Sequence, residues 1–251
     1  MTDKSSYSPG EPTWIDLGTP DIDASIAFYG ALFGWTAEVG PAEFGGYANF
    51  SKDGRKVAGL MPLMSPQQPP VWSTYISVSD AEATAKLVQD NGGTTIAPPM
   101  DVASLGRMAV FIDPAGAAIG IWQPGDHIGA ETIDSEGTLA WVELSTRDQS
   151  TSLPFYEAVF GWKPNPMDSY TELQLDGTSV AGCMDMPEMV PAEVPSYWMP
   201  YFAAADPEAQ GKRAVELGGT SLVPVMEFPG GVFSVVQDPH GSTFGLLALK
   251  H

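Results

Sequence analysis

The sequence predicts an α+β protein made of four β-α-β-β-β units, two in each half of the chain. Three observations lead there. FYGALFGW at 28–35 returns as FYEAVFGW at 155–162. Within each half, two-residue alternation gives way to a helical stripe and then to short strands. That order then restarts before the half ends.

The echo is long. TWIDLGTPDIDASIAFYGALFGW (13–35) aligns with AWVELSTRDQSTSLPFYEAVFGW (140–162) without a gap. VAGLM (57–61) answers VAGCM (180–184), WSTY (72–75) answers WMPY (198–201), NGGT (91–94) answers LGGT (217–220), and DPAG (113–116) answers DPHG (238–241). The offsets are 127, 123, 126, 126 and 125, so small insertions fall between elements while the elements persist. A period of half the chain is a domain duplication, too long for a solenoid.

TWIDLGT alternates, with Trp14, Asp16 and Gly18 on one side and Ile15 and Leu17 on the other, which predicts a strand. Asp21 is the N-cap of a helix through Leu32, whose buried stripe is Ile26, Phe28, Tyr29, Leu32 and Phe33. Gly34 stops it. Strands are expected at 35–39, 47–51 and 56–63, with Lys52-Asp53-Gly54 as a turn. The second unit follows: a strand at 71–78, a helix at 81–91 ended by Gly92-Gly93, and short strands near 94–97, 107–112 and 117–123. These boundaries give a flexible lead (1–11), a first domain (12–124), a polar linker (125–137) and a second domain (138–251).

Composition narrows the function. The chain has 251 residues, 43% of them hydrophobic and 17% charged, which suits packed globular cores. It holds no apolar run of about 18 residues, the length a spanning helix needs. The net charge of −20, from 11 basic and 31 acidic residues, repels phosphate backbones and anionic lipids. Nucleic-acid and membrane partners are therefore not expected. Cys183, the single cysteine, excludes an intrachain disulfide and a cysteine cluster, and reads as a small core residue. With an N-terminus that lacks an apolar signal segment, this favours a reducing cytoplasm. A monomer and a homodimer are both open.

The strand, the D-x-x-x-(S/A)-x-x-FY-x-x-x-(F/L)-G helix and the later DP-x-G turn resemble the vicinal oxygen chelate superfamily, in both halves and over residues 12–249. That group holds glyoxalases, extradiol dioxygenases and bleomycin-resistance-type binding proteins; the likeness is nearest to two-domain actinobacterial glyoxalase-like proteins often labelled hydroxylases. The resemblance implies two tandem glyoxalase-like domains whose curved mixed sheets enclose cup-shaped cavities. In many enzymes of the group the cup holds a divalent metal, bound by His or Gln on the first strand of a unit and Glu on the last. Carried onto this chain, those positions are Trp14 and Trp141, Gly120 and Gly245, Ser73 and Met199, and Gly59 and Gly182. None offers a carboxylate, imidazole, amide or thiolate donor, and a catalytic ion needs about three. His127 in the linker, His240 in a turn and His251 at the end are assigned to the surface. No metal and no other cofactor is expected.

Strand parity then sets Asp16 beside Trp14, Glu143 beside Trp141, Ser73 beside Tyr75 and Met199 beside Tyr201. The expected ligand-binding set is Trp14, Ser73, Tyr75, Gly120, Trp141, Met199, Tyr201 and Gly245, with Asp16 and Glu143 as candidate catalytic carboxylates. The alternative is that both tryptophans only plug the vacated metal cavity. The Met- and Pro-rich segments 61–72 and 184–198 are either flaps over a ligand or plain connections. Together these features suggest a metal-independent protein that binds a planar aromatic or hydrophobic compound, for sequestration or for tailoring of a secondary metabolite. The alternatives are a glyoxalase-, dioxygenase- or hydroxylase-type enzyme, with Asp16 or Glu143 as base or a metal at unusual positions, and a non-catalytic protein with filled pockets.

Overall fold

A computed structural model describes residues 2–41, 45–188 and 190–250; His251 lies outside them. In the first half the chain runs β1 (Thr2–Asp3), β2 (Pro12–Thr19), α1 (Ile22–Phe33), β3 (Thr36–Val39), β4 (Ala48–Lys52), β5 (Arg55–Pro62), β6 (Val71–Ser77), α2 (Ala81–Asp90), β7 (Thr94–Val102), β8 (Gly106–Ile112) and β9 (Ala118–Pro124). The connection holds β10 (Thr132–Ile133). The second half repeats the pattern as β11 (Leu139–Thr146), α3 (Gln149–Phe160), β12 (Lys163–Pro166), β13 (Thr171–Leu175), β14 (Thr178–Asp185), β15 (Tyr197–Ala203), α4 (Pro207–Glu216), β16 (Thr220–Phe228), β17 (Gly231–Gln237) and β18 (Thr243–Leu249).

Each half forms one eight-stranded mixed sheet, ordered β3-β4-β5-β2-β6-β9-β8-β7 and β12-β13-β14-β11-β15-β18-β17-β16. The α+β class and the four β-α-β-β-β units are thus present. The helix ends follow local chemistry. Asp21 accepts the Ala24 N–H at 2.9 Å, and Gly34 closes α1 in the left-handed region at φ 73°. Asp148 and Gly161 do the same for α3.

One parity of each central strand enters a core shared by both halves, containing Ile15, Leu17, Val142 and Leu144 with the aromatics of α1 and α3. The repeated motif builds this junction. Tyr29 donates to Asp238 at 3.1 Å, and Tyr156 donates to Asp113 at 3.0 Å. The Trp35 indole donates to the Gly137 carbonyl at 2.8 Å, and the Trp162 indole to that of Gly10 at 2.7 Å. FYGALFGW and FYEAVFGW therefore reach across to the other half as well as pinning their own helices. The aspartates they meet open the DP-x-G turns.

Three expectations need correction. Residues 2–11 are not a loose lead: β1 pairs with β10, and the buried Tyr7 donates to the Ala130 carbonyl at 2.7 Å. The 125–137 segment is not a free linker either, because Ala130 N–H bonds Thr13 O and Glu131 N–H bonds Lys56 O, both at 2.8 Å. Strand β7 runs to Val102, beyond the 94–97 expected, through Pro98 and Pro99. It is an edge strand with register shifts, where proline's missing donor costs no ladder bond. Among the described residues no helix is long and apolar enough to cross a membrane.

Candidate ligand-binding cups

The other parity of β2 and β11 faces two cups related by the repeat. In the first, Asp16 lies beside Gly59 on β5 and opposite Ser73 on β6, while Trp14 lies opposite Tyr75, which pairs with Gly120 on β9. In the second, Glu143 lies beside Gly182 and opposite Met199, and Trp141 lies opposite Tyr201, which pairs with Gly245. All ten expected residues therefore gather in two equivalent clusters. Neither carboxylate is an exposed edge charge: Asp16 is 4% and Glu143 7% exposed.

Two further residues, missed in the sequence, complete the clusters. The Trp14 indole donates to the Tyr47 hydroxyl at 2.9 Å, and the Trp141 indole donates to the Tyr170 hydroxyl at 2.8 Å. Their signal was present, because Tyr47 and Tyr170 start matching strand segments at the same offset of 123 as the VAG repeats. The glycines explain how the rings fit. A Cβ on Gly59 or Gly182 would overlap the hydroxyl of Tyr47 or Tyr170, and one on Gly120 or Gly245 would overlap the ring of Tyr75 or Tyr201. The glycines thus seat the protein's own phenols, and the space they leave is not open to a ligand.

Burial sets the electrostatics. Desolvation pushes the Asp16 carboxyl up to about 6, against the nearby hydroxyls of Tyr75, Ser73 and Tyr47, which favour its charged form. Glu143 is raised by burial too, opposed by Tyr201 and Tyr170. Tyr201 donates to Glu143 Oε1 at 2.8 Å, whereas among the described residues the buried Asp16 Oδ1 accepts no hydrogen bond. The four phenols are all raised, first by burial and then by the neighbouring carboxylate, so they stay protonated donors.

The cups differ at their rims. In the first, His127 packs edge-on against Trp14 at 4.5 Å between centroids, and its carbonyl accepts the Trp122 indole N–H at 2.7 Å. This corrects the surface assignment of His127. Burial, with Lys56 nearby, drives its imidazole down to about 4. Trp14 is buried, but Trp141 is only partly so, beside the half-buried Tyr197, Phe228 and Phe233. A cavity of about 320 Å³ opens against Tyr47 and is otherwise walled by Gly45 and Met61, Pro62, Leu63 and Met64, the start of the 61–72 segment. None of the eight expected ligand-binding residues lines that cavity; Tyr47 does. His240 sits in its turn, its buried Nε2 without a hydrogen-bond partner among the described residues. Cys183 is a core residue, its thiol raised by burial to about 12.

The donor sets do not fit a divalent ion. Each cup offers one carboxylate, phenols and an indole, and among the described residues no group of three His, Cys, Asp or Glu side chains converges. Arg107 pairs with Glu82 and Asp101, both at 2.8 Å, on the surface. Arg147 donates to the carbonyls of Val190, Pro191 and Val194 and so ties the 190–194 stretch to the end of β11.

Comparison with known proteins agrees with the fold. Residues 12–121 match the Glyoxalase/Bleomycin resistance protein/Dioxygenase superfamily, and residues 141–247 match a glyoxalase-like domain. The mycobacterial protein named "Putative glyoxylase CFP32", from Mycobacterium bovis and Mycobacterium tuberculosis, is 38% identical over 258 residues, covering 98% of both chains. The anthracycline biosynthesis protein DnrV of Streptomyces peucetius is 39% identical over 263 residues, covering 97% of this chain and 95% of its own. Among solved structures, the Mn(II)-bound glyoxalase from Novosphingobium aromaticivorans has a TM-score of 0.69 at 16% identity, covering 95% of this chain and 81% of its own. The 2,3-dioxygenase LapB from Pseudomonas sp. KL28 has a TM-score of 0.67 at 14% identity, covering 96% and 93%. Sequence and structure together establish that this chain belongs to the glyoxalase/bleomycin resistance protein/dioxygenase superfamily.

Proposed function

We propose that the protein binds a planar, partly apolar aromatic compound without a metal, to sequester it or to present it for tailoring. One observation carries this reading. At every position where the superfamily's metal ligands would stand, the chain has indole, glycine, serine or methionine, and the space holds a Trp–Tyr–carboxylate–Tyr cluster. Indole and phenol faces suit flat molecules, and a buried carboxylate selects a hydrogen-bond donor. The apolar cavity against Tyr47 is in the size range of small-molecule sites, with Met61 and Met64 as adaptable walls. The likeness to anthracycline biosynthesis proteins supports a polycyclic ligand. Calorimetric titration with 1,4-dihydroxyanthraquinone tests the reading. Saturable binding is expected, and its absence across a panel of hydroxylated anthraquinones would remove it.

A second reading is favoured by the Asp16 carboxyl, which burial lifts to about 6. A carboxylate near that value is a competent general base at neutral pH, so an enzyme of the glyoxalase or hydroxylase type would take a proton from its substrate at Asp16. Turnover by chelator-treated protein that is lost in Asp16→Asn would support this. Turnover unchanged by that substitution would exclude Asp16 as the base.

A further inference from the structure

The two cups are built to one plan but differ in ways that bear on their use, and we propose that the N-terminal cup is the ligand site, with Asp16 Oδ1 accepting a hydrogen bond from a hydroxyl of a flat aromatic ligand once Tyr47 swings aside. This assignment rests on the binding reading above and adds which cup is used, which atom recognises the ligand and which residue gates it.

The first observation is the acceptor. Glu143 reaches the Tyr201 hydroxyl and is satisfied at 2.8 Å. Asp16 holds the equivalent place with one methylene fewer; the hydroxyls of Tyr75, Ser73 and Tyr47 lie near its carboxyl, yet its buried Oδ1 has no hydrogen-bond partner among the described residues. A buried acceptor left unpaired is costly, and a ligand hydroxyl recovers that cost. Phenols lie at the carboxylate in both cups, but among the described residues only Asp16 keeps a buried carboxylate oxygen unpartnered there.

The second observation is the gate. Tyr47 lies between the cavity and Asp16: it forms part of the cavity wall, and its hydroxyl takes the Trp14 indole N–H. It follows Gly45 and Gly46, both in the left-handed region at φ 68° and 78°. A side chain added to Gly45 would meet nothing within 4 Å, and one on Gly46 only Pro62 at an ordinary 3.6 Å, so crowding does not impose this pair. Two adjacent glycines provide a low-cost hinge. The matching Tyr170 follows Asp168 and Ser169 instead, so its backbone is less free to swing.

The third observation is the direction of entry. His127 and Trp122 close the far end of the N-terminal cup over Trp14. A ligand therefore approaches from the Met61–Met64 side, where the cavity lies. The C-terminal cup is the natural competitor, since Trp141, Tyr197, Phe228 and Phe233 are partly exposed there, and the experiment sets the two against each other.

The full-length protein is titrated with 1,4-dihydroxyanthraquinone. Asp16→Glu lengthens the side chain to match the satisfied cup, and it is expected to weaken binding at least about tenfold. Glu143→Gln, the matching change in the C-terminal cup, is expected to weaken binding less than Asp16→Glu does. Hydrogen exchange on the unaltered protein gives a readout independent of any variant's folding: saturating ligand should slow the amides of 45–48 and leave those of 168–171 unchanged. Loss of affinity in Glu143→Gln with full affinity in Asp16→Glu, or ligand protection confined to 168–171, would overturn the assignment while leaving the binding reading intact. No binding by the unaltered protein removes both.

Discussion

At the scale of the residue, two groups with opposite electrostatic habits sit at either end of one cup. The Asp16 carboxyl rises from 3.8 to about 6, because burial disfavours its charge. Its contribution to stability is therefore fully present below about pH 4 and lost as pH climbs through about 6, a change worth roughly 3 kcal/mol. His127 is depressed from 6.5 to about 4 by burial, so its contribution is present above about 6.5 and lost as pH falls toward 4, by a similar amount. The two offset each other across the same window, so the pH profile of the unaltered protein hides both. Asp16→Asn separates them. Denaturant unfolding from pH 4 to pH 7 should show this variant gaining about 3 kcal/mol on the unaltered protein as pH rises. A difference independent of pH would mean Asp16 is not desolvated. A glycine gives a steric counterpart. Gly245→Ala places a methyl group in the ring of Tyr201, and overpacking of this kind costs about 1–3 kcal/mol. Because Tyr201 would shift off Glu143, the loss should appear in the melting temperature. An unchanged melting temperature would show that the ring has room to move.

At the scale of the element, the Tyr29 phenol is one of the links by which the α1 motif joins the halves. The Tyr29 hydroxyl accepts the Trp72 indole N–H at 3.2 Å while donating to Asp238. Tyr29→Phe strands a buried donor and a buried acceptor together, with an expected cost of about 1–3 kcal/mol in denaturant unfolding. Much of this architecture was readable from the chain. Asp21 and Gly34 mark the ends of α1, strand parity put Asp16 beside Trp14, and the offsets exposed the duplication. What was not readable depends on long-range closure. Nothing local shows that Tyr47 reaches back over Gly59, nor that His127 folds onto Trp14. Polarity made 125–137 look like a free linker, yet its backbone is spent on Thr13 and Lys56. Proline misled in the same way at β7, where an edge position removes the penalty. Those prolines have a use of their own. The outer strands β7 and β16 expose Ile96, Met100, Leu222, Val225 and Met226, and a hydrophobic edge invites pairing with another chain. Pro224 interrupts β16, so Pro224→Val should leave the fold intact and increase self-association in light scattering.

At the scale of the whole molecule, both halves draw on one core, and the tyrosine of each motif helix, Tyr29 and Tyr156, finds a hydrogen-bond partner in the other half. Unfolding should therefore be a single cooperative transition by calorimetry, and residues 1–137 expressed alone should lack a cooperative melt. The other parity of the same two central strands faces the cups, where the duplication gathers indole, phenol and one carboxylate twice. The most direct test of that claim is a calorimetric titration of 1,4-dihydroxyanthraquinone into the protein with excess chelator and, in parallel, with added Mn(II) or Zn(II). Equal affinity in both is expected if organic side chains alone make the site. Binding that appears only with the metal would contradict it.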